Sequence, residues 1–375
     1  MKKVHPKVEE AVETLDLSPF TRRRLLAGTG LVSASLAASA LLAACSDDKP
    51  TATGAVGNFP STPKWKFVFV CHVTTNPFFT PTQYGAEDAC KLLGAEFQWT
   101  GSINSVVAEM VDATNTAISA RADGIALAVV DKAAFRGPVD RALEAGIPVV
   151  SYNADGARED VGTNRLAYIG QGLYESGYAL GQRALTKIDS GDVAGFIATP
   201  GQLNIQPRID GAQQAFRDSG KPINFTAVAT NADITQGLSI IDAYAQGHPN
   251  IAGLLAVDAG STQSVGQTVA KYKMRDKGLK VAGGFDLVPE TLNAVKAGDL
   301  DYTIDQQPYL QGFLPVVALY LYKLTGGLLF PCQTNTGLLF VTKDNVDPYQ
   351  SSKTRYEGSD TAPKLVPRNG PIAHA

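Results

Sequence analysis

The chain has 375 residues, 44% of them hydrophobic and 18% charged, with 36 Gly and 21 Pro. That composition excludes intrinsic disorder, a collagen-like repeat and a polytopic membrane protein, and the length suits two domains of about 150 residues, each able to bury a core. The formal charge is −3, and the first 44 residues hold six bases (Lys2, Lys3, Lys7, Arg22, Arg23, Arg24) against four acids (Glu9, Glu10, Glu13, Asp16), so the remainder is more acidic than the whole; such a body lacks the basic stripe that replaces phosphate counterions, and no nucleic-acid partner is expected.

The first element in chain order is Thr21-Arg22-Arg23-Arg24-Leu25-Leu26, followed by an uncharged stretch from Leu25 to Ala44. This stretch is just long enough to span a bilayer, but it is mostly Ala, Ser, Gly and Thr and therefore weak as a permanent anchor. A basic segment, a modest apolar segment and small residues before a cut site predict an export signal over residues 1–44. The paired arginines resemble the twin-arginine type. Leu42-Ala43-Ala44-Cys45 resembles a bacterial lipobox, in which Cys45 is acylated and heads the mature chain. An uncleaved single-span anchor is the alternative, and either one puts the body outside the cytoplasm. Residues 45–63 are rich in Thr, Gly and Pro without hydrophobic period and read as a flexible tether.

From Trp65 onward short apolar runs alternate with helical patterns. The runs are Phe67–Val73, Gly124–Val130, Ile147–Tyr152, Ala194–Ala198, Phe225–Ala229, Gly253–Val257, Val281–Phe285 and Tyr302–Asp305. They are continuous rather than alternating, as in strands covered on both faces. Between them Val106, Val107, Met110, Val111, Thr114 and Ile118 recur at spacings of 3 and 4, as do Leu238, Ile241 and Ala245. Strands separated by such helices make right-handed βαβ units, and about eight units predict two doubly wound parallel-sheet α/β lobes. Of the cysteines left after Cys45, Cys71 closes an apolar run and Cys90 lies in a helical pattern, which favours two buried thiols over a Cys71–Cys90 bridge; Cys332 stands apart.

In doubly wound sheets ligands bind beyond the carboxyl ends of the strands. The segments that follow the apolar runs are Thr74-Thr75-Asn76-Pro77-Phe78-Phe79, Asn153-Ala154-Asp155, Gln206-Pro207-Arg208-Ile209-Asp210, Asp258-Ala259-Gly260-Ser261, Asp286, and Asp305-Gln306-Gln307-Pro308. Amides, carboxylates, one arginine and paired rings form a set suited to gripping hydroxyl groups, because each planar amide or carboxylate takes two hydrogen bonds and a ring covers an apolar C–H face. Nucleophile-elbow, P-loop, His-Glu-x-x-His, Cys-x-x-Cys and Rossmann motifs are absent, so the residues point to a binding protein without cofactor or metal rather than an enzyme. His72 is either an edge of this cleft or a satisfied histidine at a strand end. Asp286 also stands where a helix N-cap before Val288-Pro289-Glu290 would stand.

Over residues 65 to 345 these motifs, in order and spacing, resemble the type I periplasmic sugar-binding proteins, the ribose and galactose-like branch that feeds simple-sugar ABC importers. The resemblance implies that Asn76, Phe78 and Phe79 supply an amide and two rings around a sugar, that Arg208 matches the family's arginine after the fourth strand, that Gly284-Phe285-Asp286 matches its Gly-Phe-Asp motif, and that Gln306 matches its late glutamine. The ligand-binding set expected is thus Asn76, Phe78, Phe79, Asn153, Asp155, Arg208, Asp258, Phe285, Asp286 and Gln306. Asn153-Ala154 stands where ribose binders carry Asp-Arg, Asp258 where they carry Asn, and Ile234 where an aromatic closes the second face, so a different pentose, a hexose or a polyol is open.

The resemblance further implies a three-strand hinge at Tyr168–Gln171, Asp305–Gln307 and Gln333–Gly337. It gives an N-terminal lobe of residues 64–169 plus 306–334, a C-terminal lobe of 170–305 plus 335–350, and a tail of 351–375. A monomeric lipoprotein, in the periplasm or at the outer face of the cytoplasmic membrane, would close on its monosaccharide or polyol and be recognised by an ABC permease. A secreted glycoside-acting enzyme and a sugar sensor for a chemoreceptor are the alternatives. The lac-repressor-type regulators share the fold but need a cytoplasmic address, which the export signal opposes.

Overall fold

The computed structural model describes residues 61–155, 163–327 and 331–351. The expected export signal, Cys45, most of the tether and the tail lie outside the described residues.

The first sheet contains β1 (Lys66–Cys71), β2 (Glu96–Gly101), β3 (Gly124–Leu127), β4 (Val149–Tyr152), β5 (Ala167–Gly170) and β11 (Gln333–Asn335), in the order β11-β5-β4-β3-β1-β2 and parallel throughout. The second contains β6 (Gly191–Ile197), β7 (Ile223–Ala229), β8 (Gly253–Ala256), β9 (Val281–Phe285), β10 (Tyr302–Asp305) and β12 (Leu339–Thr342), in the order β12-β10-β9-β8-β6-β7. Only β12 runs antiparallel. The two doubly wound lobes expected from the alternation are therefore present. The backbone passes between the sheets after β5, after β10, and between β11 and β12.

Local sequence chemistry sets the helices. Asp131, Asp233 and Asp258 cap α3 (Lys132–Glu144), α6 (Ile234–Gly247) and α7 (Ala259–Tyr272) by accepting a backbone N–H two or three residues into the helix. Gly94, Gly298 and Gly326, all left-handed, close α1 (Thr80–Leu93), α8 (Pro289–Ala297) and α9 (Pro308–Thr325). The remaining helices are α2 (Val107–Ser119), α4 (Leu173–Ala184), α5 (Gln206–Asp218) and the short α10 (Asp347–Ser351). Helices α4 and α5 pack backbone to backbone: a Cβ at Gly177 would lie 2.0 Å from Arg208 O, and one at Gly211 2.2 Å from Tyr174 O. That approach seats the first turn of α5, which carries Arg208, against the second sheet.

Strands β3, β4, β8, β9 and β10 are buried at every residue, as the continuous apolar runs require. Neighbouring residues of one strand serve opposite faces. Leu254 belongs to a cluster with Ile241, Val265 and Val295, and Leu255 to one with Leu180, Ile209 and Phe216. The edge strand β2 does not read as a strand in the sequence, because Glu96-Phe97-Gln98-Trp99 alternates with one face to solvent, and neither does β5, whose Ala167-Tyr168-Ile169-Gly170 holds one strongly apolar aliphatic residue. Cys71 and Cys90 are free and buried, whereas Cys332 is exposed. Burial pushes both buried thiols up to about 12, leaving no reactive thiolate at neutral pH. In native protein a thiol reagent should label Cys332 and leave Cys71 and Cys90 untouched until denaturant is added; rapid labelling of all three would contradict the packing.

Candidate functional site

Each sheet reverses its strand order at one place, between β1 and β3 in the first and between β6 and β8 in the second. Loops leaving the carboxyl ends of neighbouring strands diverge there and open a crevice. The two crevices face each other across a cavity of ≈ 50 Å³. Eight residues singled out in the sequence line it: Asn76, Phe78, Phe79, Asn153, Arg208, Asp258, Asp286 and Gln306. His72, Asn204, Ile205 and Ala259 complete the wall. A second compartment of ≈ 50 Å³ shares His72, Asn204 and Asp258 with it and reaches Ser105, Thr199 and Ala232.

Two expected residues are elsewhere, each for a physical reason. Asp155 is engaged by Arg165, whose Nη2 lies 2.7 Å and Nε 3.2 Å from Oδ2, both side chains being buried, so it holds the first lobe together instead of facing the cavity. Phe285 is fully buried beneath Arg208, whose guanidinium carbon sits 4.1 Å from the ring centroid; it supports a ligand group without lining the cavity. Ala154 is also fully buried in the first lobe's core. The volume it leaves relative to a larger side chain is therefore not added to the cavity.

On the first lobe, Asn76 caps the 3₁₀ turn Pro77–Phe79 by accepting from Phe78 N at 3.0 Å, which turns its Nδ2 into the free group. Phe78 and Phe79 meet edge to face with centroids 4.7 Å apart. Phe79 leans on His72 and Trp99, so the wall continues into the core cluster of Phe69, Trp99 and Tyr152. Asn153 adopts φ 59 at the end of β4, one of the few side chains for which this is cheap.

The second lobe supplies the charges. Arg208 donates from Nη1 to Val257 O at 2.9 Å and from Nη2 to Gln171 Oε1 at 3.1 Å, while its Nε has no partner among the described residues. Gln171 in turn donates to Gly337 O at 2.9 Å, tying the arginine to two of the chain crossings. Asp258, as the α7 cap, already accepts from Ser261 N and Ala198 N. Asp286 does not take the cap role considered for it: Val288 stands at the N-cap position of α8 with no side-chain capping bond, and Asp286 has φ 77. Its Oδ1 accepts from Gln306 Nε2 at 2.6 Å. Burial pushes the Asp286 carboxyl up to about 6 despite the opposing pull of Arg208. Burial also raises Asp258 and lowers Arg208 from their ordinary values.

The lobes touch directly. Asn204 Nδ2 donates to His72 Nε2 at 3.1 Å, which leaves the ring proton on Nδ1, and both His72 Nδ1 and Asn204 Oδ1 lack partners among the described residues. Burial, with Arg208 adding to it, pushes His72 down to about 4, so the ring is neutral at ordinary pH. Ser105 Oγ donates to Gln202 Oε1 at 2.6 Å, Gln202 Nε2 to Ser105 O at 3.0 Å, and Leu203 N to Val130 O at 2.9 Å. The cavity thus offers N–H donors at Asn76, His72 and Arg208, acceptors at Asn204, Asp258 and Asp286, and an apolar aromatic wall. That combination suits a small polyhydroxylated molecule. Among the described residues, no group of three or more His, Cys, Asp or Glu side chains is placed to hold a metal ion. His72 was left undecided by the sequence, and Asn204 was missed because an isolated asparagine in a long loop carries no periodic or motif signal.

Comparison with known proteins agrees with the fold. Residues 67–326 match the family model described as a periplasmic binding protein domain. Over 318 residues the chain is 48% identical to a xylose/arabinose-binding protein of Sulfolobus acidocaldarius, covering 82% of this chain and 78% of that protein. A solute-binding protein of an ABC transporter from Burkholderia graminis, solved in complex with D-arabinose, superposes with a TM-score of 0.70 at 26% identity over 78% of this chain and 99% of its own. A carbohydrate transporter from Acidothermus cellulolyticus, in complex with myo-inositol, superposes with a TM-score of 0.66 at 27% identity over 76% of this chain and 96% of its own. These relatives are binding proteins and not enzymes.

Proposed function

The chain belongs to the periplasmic binding protein family, as a type I sugar-binding member, and we propose that it captures a pentose of the xylose or arabinose class between its lobes and presents the closed form to an ABC permease. The observation that carries the reading is that His72 from one lobe and Asn204 and Arg208 from the other, each with a buried polar atom that has no partner among the described residues (Nδ1, Oδ1 and Nε), line a single cavity. A buried polar atom without a partner costs about 1–3 kcal/mol, and a sugar hydroxyl, being both donor and acceptor, removes that cost on both lobes at once. Neither lobe alone supplies the full set, so the ligand stabilises the closed arrangement. The xylose/arabinose-binding relative supports the pentose class. Acylation of Cys45 would hold the protein at the outer face of the membrane, where a permease is reached.

A thermal-shift screen of the protein against xylose, arabinose, ribose, glucose, allose and myo-inositol tests the ligand class. Xylose or arabinose at about a hundred times its Kd should stabilise the native state by about 2.7 kcal/mol. A response to hexoses or inositol alone would replace the pentose by that class, and no response to any sugar would overturn the reading. For the anchor, membrane fractions should hold the protein, and Cys45→Ala should release it.

A further inference from the structure

Gln311 lies on α9, fully buried, and does not line the cavity, yet it touches three parts of the chain. Its Oε1 accepts from Asn153 Nδ2 at 3.0 Å. Its Nε2 donates to Gln306 O at 3.0 Å, Gln306 Oε1 at 3.2 Å and Thr336 Oγ1 at 3.1 Å. Thr336 also donates to Gln306 O at 2.7 Å, and so belongs to the same knot at the hinge.

An amide has a donor end and an acceptor end, and fixing one end decides what the other can do. Because Gln311 takes the Asn153 N–H₂ group, Asn153 is left with Oδ1 as its free group. Because Gln311 occupies Gln306 Oε1, Gln306 is left with Nε2, which meets Asp286 Oδ1 at 2.6 Å. We propose that Gln311 is a positioning residue that sets the hydrogen-bond polarity of the sugar site through this relay, making Asn153 from one lobe and ionised Asp286 from the other the acceptors for two sugar hydroxyls. The proposal rests on the sugar-binding reading and adds which way each polar group must point.

If the relay were released, Gln306 would be free to turn its carbonyl toward Asp286. Two acceptors cannot face each other at that distance unless the carboxyl takes up a proton. Asp286 also faces Arg208, which opposes protonation, and Asp258 and Asp305, which favour it. Loss of the held Gln306 donor therefore displaces the titration of Asp286 upward.

The test is a ¹³C-carboxyl NMR titration of Asp286 in the sugar-free protein, paired with calorimetric titration of xylose and arabinose. Gln311→Met keeps the bulk and adds no charge. It should raise the Asp286 midpoint and weaken both sugars by about tenfold at pH 7, with the loss shrinking at lower pH. Gln311→Leu likewise removes both ends of the amide without adding charge, and should move the midpoint in the same direction; it serves if the Met variant does not fold. An unchanged Asp286 midpoint in a folded variant overturns the relay whether or not any sugar binds. Wild-type protein that binds no sugar, with the midpoint shift present, overturns the pentose reading and leaves the relay standing.

Discussion

Truncation of Arg208 to Ala is expected to weaken sugar binding by about ten- to a hundredfold, because a hydrogen bond to a charged group contributes about 1.5–3 kcal/mol and every 1.4 kcal/mol is tenfold. The side chain is 3% exposed, stacked on Phe285, and held by Val257 O and Gln171 Oε1, so its remaining donors are presented without further loss of side-chain freedom. Arg208→Lys should not restore affinity, since an ammonium lacks the planar fork that meets these two acceptors and the ligand together. Arg208→Ala also removes the cation that holds Asp286 down. In wild-type protein this carboxyl is raised from 3.8 to about 6. The folded state therefore holds more protons than the unfolded chain between those values, and the contribution of Asp286 to stability is present below pH 4 and lost as pH rises through 6. A sugar hydroxyl donating to the ionised form reverses this preference, so wild-type affinity should rise as pH rises through 6, and in Arg208→Ala the rise should move to higher pH. Calorimetry across pH 5–8 measures both. Unchanged affinity in Arg208→Ala would remove the arginine from the site.

Arg165→Ala is expected to cost about 3–5 kcal/mol of stability, because it leaves the Asp155 carboxylate buried without its partner. The geometry is a side-on fork, Nη2 at 2.7 Å and Nε at 3.2 Å from Oδ2, with side chains 5% and 7% exposed. For a domain of this size the unfolding temperature should fall by roughly 2–4 °C per kcal/mol. Replacing both partners by Leu should recover most of the loss, because neither charge is then buried. Differential scanning calorimetry of the single and double variants reads the result. A single variant that melts with the wild type would mean that the pair is solvated. Sugar affinity in the double variant should stay near wild type, since Asp155 does not line the cavity.

The fold was legible where burial on both faces leaves a continuous apolar run. Val281–Phe285 and Tyr302–Asp305 coincide with β9 and β10 from end to end. It was illegible where one face meets water, as in β2, and where the run carries a single strongly apolar aliphatic residue, as β5 does in Ile169. The site was legible at strand ends. Asn76, Phe78, Phe79, Arg208, Asp286 and Gln306 each follow an apolar run, and all of them line one cavity. Asp155 met the same criterion, yet its side chain found Arg165 ten residues away. Position after a strand says where a residue sits and not which partner it takes.

From its sequence alone this chain determined its two doubly wound lobes, its binding rather than catalytic character, and the chemistry of its ligand, because strand burial and the residue types at strand ends are local properties that periodicity and spacing record. Only the tertiary structure decided which groups act together. His72 meets Asn204 across 132 positions of sequence, and Gln311 meets Asn153 across 158. Hydrogen-bond polarity is a property of such pairs. The orientation of an amide is set by what the chain brings against it, and no local signal in the sequence carries that information.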